Sequence, residues 1–167
     1  MTGIQTCALP ILDLICPDPF FKDIEIGNQI STWIGGWKFK FKLPFQFRRK
    51  GKPQKNIFNT GDVETPVKIA FKGPAVNPKI CNLTTKEFIR VKRTLTSDDI
   101  LYINTEKGNK TIEIERNGTR KNAGNYIDLD STFFQLIPGD NLIEYSTENN
   151  LDPQSVELIY SNKYLGV

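Results

Sequence analysis

From Trp37 to Phe47 the chain alternates. Trp37, Phe39, Phe41, Leu43, Phe45 and Phe47 fall on one side, and Lys38, Lys40, Lys42 and Gln46 on the other. A period of two belongs to a strand with one buried and one solvated face, so this segment predicts a long antiparallel strand. Pro44 cannot donate to a ladder, which puts the strand at a sheet edge or divides it there. Shorter runs rich in Ile, Val, Phe, Tyr or Thr predict strands at 67–72, 88–91, 100–104, 111–116, 126–129, 134–137, 142–145 and 156–160. Between them lie turn formers: Lys107-Gly108-Asn109, Asn117-Gly118, Ala123-Gly124-Asn125 and Pro138-Gly139-Asp140-Asn141. Asn-Gly favours a type I′ hairpin and Pro-Gly a type II turn. No window carries the i, i+3, i+4, i+7 stripe of an amphipathic helix. Strands recurring about every 8–12 residues with short turns predict an all-β fold, an antiparallel β-sandwich or jelly roll. There is no internal repeat.

Length and composition narrow this further. The 167 residues fit one compact domain with a short remainder, and 38% hydrophobic residues suffice for one core. Histidine is absent, which removes the commonest general base and metal ligand together. The net charge of +3 creates no global field that argues for nucleic acid. Cys7, Cys16 and Cys81 are too few for a disulfide framework or a zinc site, and no apolar run is long enough to span a membrane. Residues 1–11, MTGIQTCALPI, lack the basic start of a signal peptide and closely resemble the translation of a sequencing adapter. They are therefore expected to be non-native.

The candidate chemistry is sparse. Between Ile26 and Gly61 there are eight cations and no acid: Lys38, Lys40, Lys42, Arg48, Arg49, Lys50, Lys52 and Lys55. Basic residues interleaved with aromatics characterise single-stranded nucleic-acid platforms, but the alternation here puts the rings opposite the lysines, so solvated or partner-facing cations are the better reading. Residues 48–55, RRKGKPQK, read as an exposed loop, and Arg48, Arg49, Lys50, Lys52 and Lys55 are its candidate contact residues. Glu113 and Glu115 point the same way from one strand, about 7 Å apart, near the spacing used in glycoside hydrolysis. With Ile112 and Ile114 supplying the buried face, they read as solvated side chains. Asp98 with Asp99, and Asp128 with Asp130, lack the further oxygens of a calcium loop and read as turn caps. Asn82, Asn109 and Asn117 head glycosylation-like triplets, without an export signal. Cys16 and Cys81 have no histidine to activate them. No catalytic residue, metal ligand or cofactor site is expected.

A further set of residues carries a resemblance. Leu14-Ile-Cys-Pro-Asp-Pro-Phe-Phe21, Asn59-Thr-Gly-Asp-Val-Glu-Thr-Pro66, Gly73-Pro-Ala-Val-Asn-Pro78, Asp99-Ile-Leu-Tyr-Ile-Asn-Thr105, Leu136-Ile-Pro-Gly-Asp-Asn141 and the closing Tyr164-Leu-Gly-Val167 follow one another in order. The ordered set resembles the siphophage distal tail protein family over residues 14–167, with Asn104 standing where the family usually has Asp. Most of the matched residues are turn formers; they specify a fold rather than a site.

The resemblance implies a galectin-like β-sandwich, the C-terminal domain of a tail-tip protein. It implies residues 12–56 as leading strands with the basic loop, joined to a missing N-terminal domain, and 57–167 as the sandwich. It also implies a non-enzymatic virion component, from a phage or prophage, made in the bacterial cytoplasm. The full-length protein would form a homo-hexamer linking tail tube to baseplate hub or tail-associated lysin and to receptor-binding protein, without nucleic acid or membrane. The alternative is a non-catalytic carbohydrate-binding module, which needs Trp33, Tyr102, Tyr126 and Tyr145 exposed together.

Overall fold

The computed structural model describes residues 18–30, 33–34, 49–50, 53–148 and 155–166. Alternating burial builds its strands. Val67, Ile69 and Phe71 are buried while Lys68 and Lys72 are exposed, and Ile112 and Ile114 alternate with Glu113 and Glu115 in the same way. The strands in chain order are β1 (Phe21–Lys22), β2 (Ile26–Ile30), β3 (Trp33–Ile34), β4 (Arg49–Lys50), β5 (Gln54–Asn59), β6 (Val67–Lys72), β7 (Ala75–Asn82), β8 (Glu87–Arg90), β9 (Thr94–Leu95), β10 (Asp99–Asn104), β11 (Thr111–Arg116), β12 (Thr119–Asn122), β13 (Gly139–Glu148), β14 (Ser155–Tyr160) and β15 (Lys163–Tyr164).

Two antiparallel sheets form the body. One runs β12-β11-β10-β6-β14-β2; the other runs β5-β13-β7-β8, with β9 also paired to β7. Their inner faces share one core: Ile69, Phe71, Leu101, Ile103 and Leu158 come from the first sheet, Ile57, Ile80, Ile89, Ile143 and Tyr145 from the second. The Phe71 and Tyr145 rings meet edge-on at 5.7 Å across the interface. Burial of these apolar side chains is the dominant favourable term, roughly 1.5–3 kcal/mol each. The result is the antiparallel β-sandwich that the alternation predicts.

The turns follow their chemistry. Asn117 and Gly118 have φ of +51° and +75° between the paired Arg116 and Thr119, the two left-handed positions of a type I′ hairpin. Gly139 has φ +91° after Pro138, as the third position of a type II turn requires.

Three segments differ from the sequence reading. Residues 126–129 and 134–137, expected as strands, make only the isolated bridges Val91↔Ile127 and Thr65↔Leu136, and Gly124–Tyr126 is a 3-10 turn. The Ser131 side chain takes over part of the ladder there, its hydroxyl accepting from Arg90 N–H (3.0 Å), while Ser131 N–H turns back to the Asp128 carbonyl (3.0 Å). The same segment covers the β8 edge through Asp128 N–H to the Arg90 carbonyl (2.9 Å) and Thr132 N–H to the Phe88 carbonyl (2.8 Å). The run 75–82, which carries the expected Asn-Pro turn, is a strand bulged about Asn77, whose φ is +48°. The aromatic segment 37–47 lies outside the described residues.

Candidate functional site

The residues that carry the family resemblance meet at the corners of the sandwich. Asn59 is fully buried. Its Oδ1 accepts from Gly61 N–H (2.9 Å), and its Nδ2 donates to the carbonyls of Val63 (3.1 Å) and Leu136 (3.0 Å). Thr65 and Leu136 exchange backbone hydrogen bonds (3.0 and 2.8 Å), and the Thr65 hydroxyl donates to the Ser161 carbonyl. A Cβ at Gly61 would fall 2.4 Å from the Lys163 carbonyl oxygen, so only glycine fits where this corner crosses the final strand. Asp62 closes the same crossing, donating its N–H to the Lys163 carbonyl (2.9 Å) and accepting from Leu165 N–H (3.1 Å).

The other motifs do the same work. Asn141, also fully buried, accepts from Ile137 N–H (3.0 Å) and donates to the carbonyls of Ile137 (2.8 Å) and Gly139 (3.1 Å). The Thr105 hydroxyl accepts from Val67 N–H (2.8 Å) and donates to the Val67 carbonyl (3.1 Å). Asn104 accepts from Glu106 N–H (3.1 Å); its side-chain oxygen fills the acceptor role that the usual Asp would have, so the departure from the family pattern keeps the turn. Asp99 receives Arg116 Nε and Nη2 (2.6 and 2.7 Å) and Thr96 N–H and hydroxyl (2.8 and 2.9 Å). The guanidinium, helped by the Thr96 donors, holds its carboxyl well below the usual carboxylate range, against the upward push of burial.

Glu113, Glu115 and Asp128 are held in ion pairs. Arg120 reaches Glu115 at 2.8 Å and Glu113 at 3.9 Å, so one guanidinium bridges the pair. Asp128 pairs with Lys92 (3.0 Å) and Arg90 (3.5 Å), and the Lys92 hydrogen bond lowers its pKa. Among the described residues no group of three or more acidic or cysteine side chains could hold a metal. Cys81 is half-buried on β7, and burial pushes its thiol up; Cys7 and Cys16 lie outside the described residues. Asn82 is buried and caps Thr84 N–H (3.0 Å), so its amide is committed inside the fold.

Among the described residues, the candidate sugar-stacking rings do not form a shared platform. Tyr145 is core. Arg120 lies 4.1 Å over Tyr102 and Arg93 4.5 Å over Tyr126, which takes one face of each ring. The Trp33 side chain lies outside the described residues.

Of the basic run, Arg48 and Lys52 lie outside the described residues, while Arg49 and Lys50 form β4 against β3. Lys55 lies in β5, and its Nζ donates to the Gln29 carbonyl on β2 (3.2 Å). The run is thus in part strand where it is described, and it leads into the seam between the two sheets.

Two clefts lie at opposite ends of β10. One, of about 660 Å³, is walled by Asp18, Phe20, Asp62, Glu64, Glu106 and Lys163. The other, of about 550 Å³, is lined by Arg93, Asp99, Arg116, Lys121, Tyr126 and the turn at Asn117. Arg93, Arg116 and Lys121 carry no linear signal, because they are separated in sequence and only the sheet order assembles them.

Comparison with known proteins gives this architecture a family. Residues 60–164 match the family described as siphovirus-type tail component, C-terminal domain. No curated protein matches the chain. Two solved structures of the phage P2 baseplate in its activated conformation, one with calcium and one with strontium, are similar at TM-scores of 0.48 and 0.47. Each shares 13% identity and is covered over 53% of its own chain and 83% of this one, so the chain spans about half the length of the structures it matches. With the match extending over residues 60–164, the chain belongs to the siphovirus-type tail components and carries their C-terminal domain.

Proposed function

We propose that this domain is part of a distal tail protein that links the tail tube to the baseplate hub and receptor-binding components at the tip of a siphophage or prophage tail. The observation that carries the reading is the match over residues 60–164, within which the motif residues form corners rather than a reactive centre. In this reading the protein resides in the virion, is made in the bacterial cytoplasm, acts without catalysis and assembles as a homo-hexamer in its full-length form. Residues 1–11 are foreign to the native protein, the entry strands of 12–56 contribute β2 and the start of β5 to the sandwich and lead to it from a preceding ring-forming domain, and Arg48, Arg49, Lys50, Lys52 and Lys55 face neighbouring tail proteins.

Lysine cross-linking of intact particles followed by mass spectrometry tests the contact surface. Cross-links from Lys50, Lys52 or Lys55 to other tail proteins are expected. Cross-links from these lysines only within their own chain, while lysines elsewhere on the sandwich reach tail proteins, would overturn the assignment of the basic run.

A further inference from the structure

β12 is the outermost strand of its sheet, and all four of its residues are exposed, so it extends past the cover of the facing sheet. Lys121 is paired with the inward-facing Ile114, and Thr119 with Arg116, so both project beneath this overhang on the core side. There they meet Arg93 and the segment from Asn122 to Tyr126, enclosing the cleft of about 550 Å³. That volume lies within the range of small-molecule sites, roughly 300–1,000 Å³.

The chemistry of the lining restricts the ligand. Three cations, Arg93, Arg116 and Lys121, face one acid, Asp99, which is buried and already saturated by Arg116 and Thr96. Among the described residues neither Arg93 nor Lys121 has an acidic partner, so the cleft keeps uncompensated positive charge. Around it are side chains able to bind hydroxyls: the amides of Asn117 and Asn125 and the Thr119 hydroxyl. Apolar lining is confined to Ile114, Ala123 and the Tyr126 ring, which is already covered by Arg93. Cations and amides supply the polar part of the lining, and Ile114, Ala123 and Tyr126 the apolar part, a combination that suits a small hydroxyl-rich anion whose ring packs against the apolar side.

We propose that the cleft beneath β12 binds an anionic saccharide, its carboxylate or phosphate held by Arg93 and Lys121 beside Arg116, and its hydroxyls by the asparagine amides.

The test is nuclear magnetic resonance titration of the ¹⁵N-labelled full chain with digalacturonate, glucose 6-phosphate, cellobiose, inorganic phosphate and a tetra-aspartate peptide. Saturable shifts at the amides of Asn117, Gly118, Thr119, Lys121 and Asn125 are expected with one or both anionic sugars, which also separates carboxylate from phosphate as the recognised group. Cellobiose should leave them in place, and added salt should weaken the binding. Arg93→Ala with Lys121→Ala should reduce affinity at least tenfold, while Lys72→Ala, a cation on another face, should not change it. Lys121→Ala alone, which removes no ion pair or side-chain hydrogen bond among the described residues, keeps the test informative if the double variant is unstable. Absence of shifts at millimolar ligand, equal response to cellobiose, or phosphate binding as tightly as the sugars overturns the proposal. Tighter binding of the peptide overturns it in favour of a protein partner.

Discussion

Replacing Asn59 by alanine should destabilise the domain far more than its position beside a loop suggests. The change removes hydrogen bonds to Gly61 N–H, the Val63 carbonyl and the Leu136 carbonyl at a site with 1% exposure. Leu136 keeps its second donor, Thr65 N–H, but Gly61 N–H and the Val63 carbonyl lose the side chain that serves them. At about 1 kcal/mol net for each bond, and more where a buried group is orphaned, the expected loss is about 3 kcal/mol. With a urea m-value of about 2 kcal/mol/M, the midpoint should fall by about 1.5 M. Thermal unfolding should drop by roughly 6–12 °C. The control is Asn56→Ala on the same strand, which loses one exposed hydrogen bond to Asp140 (2.6 Å) and should change stability by no more than about 0.5 kcal/mol. Equal midpoints for the two variants, at unchanged m, would refute the claim that Asn59 holds the corner.

Acid should weaken the fold through Asp99. Its folded pKa lies below the unfolded value of 3.8, so its contribution is complete above that pH and is lost as pH falls through the folded value. Asp99→Asn should cost about 2 kcal/mol at neutral pH and flatten the acid limb of a stability profile followed by circular dichroism; an unchanged limb contradicts the role given to Arg116. Gly73→Ala would set a methyl 1.9 Å from the Thr96 carbonyl oxygen and should cost about 3 kcal/mol in chemical denaturation. Gly27→Ala, with nothing within 4 Å, should be neutral or slightly stabilising. Gly118→Ala, at φ +75°, should cost about 1 kcal/mol in the same assay and loosen the β11–β12 hairpin.

The strands that were easiest to read are those whose alternation is uninterrupted. Val67, Ile69 and Phe71 mark β6, and Ile112 and Ile114 mark β11, because one face of each meets the core. β7 was obscured by Asn77 and Pro78: the pair suggests a turn, but here it bends a strand whose pairing with β13 shifts register. Residues 126–129 mislead in the other direction. Their composition suits a strand, yet Asp128 and Ser131 turn the chain back within it. The motif residues could be recognised in order along the chain, but not their partners, since Asn59 reaches Leu136, 77 residues away, and Thr60 reaches Tyr164, 104 away. The cleft beneath β12 was hidden for a related reason. It depends on one sheet reaching past the other, a property of strand order that no local pattern encodes.

The most direct test of the tail-tip account is immunogold electron microscopy of particles carrying this chain, using antibody raised against the sandwich. Label confined to the end of the tail farthest from the capsid is the predicted result. Label on the capsid, along the tube, or absent from particles whose proteins are otherwise accounted for would contradict it.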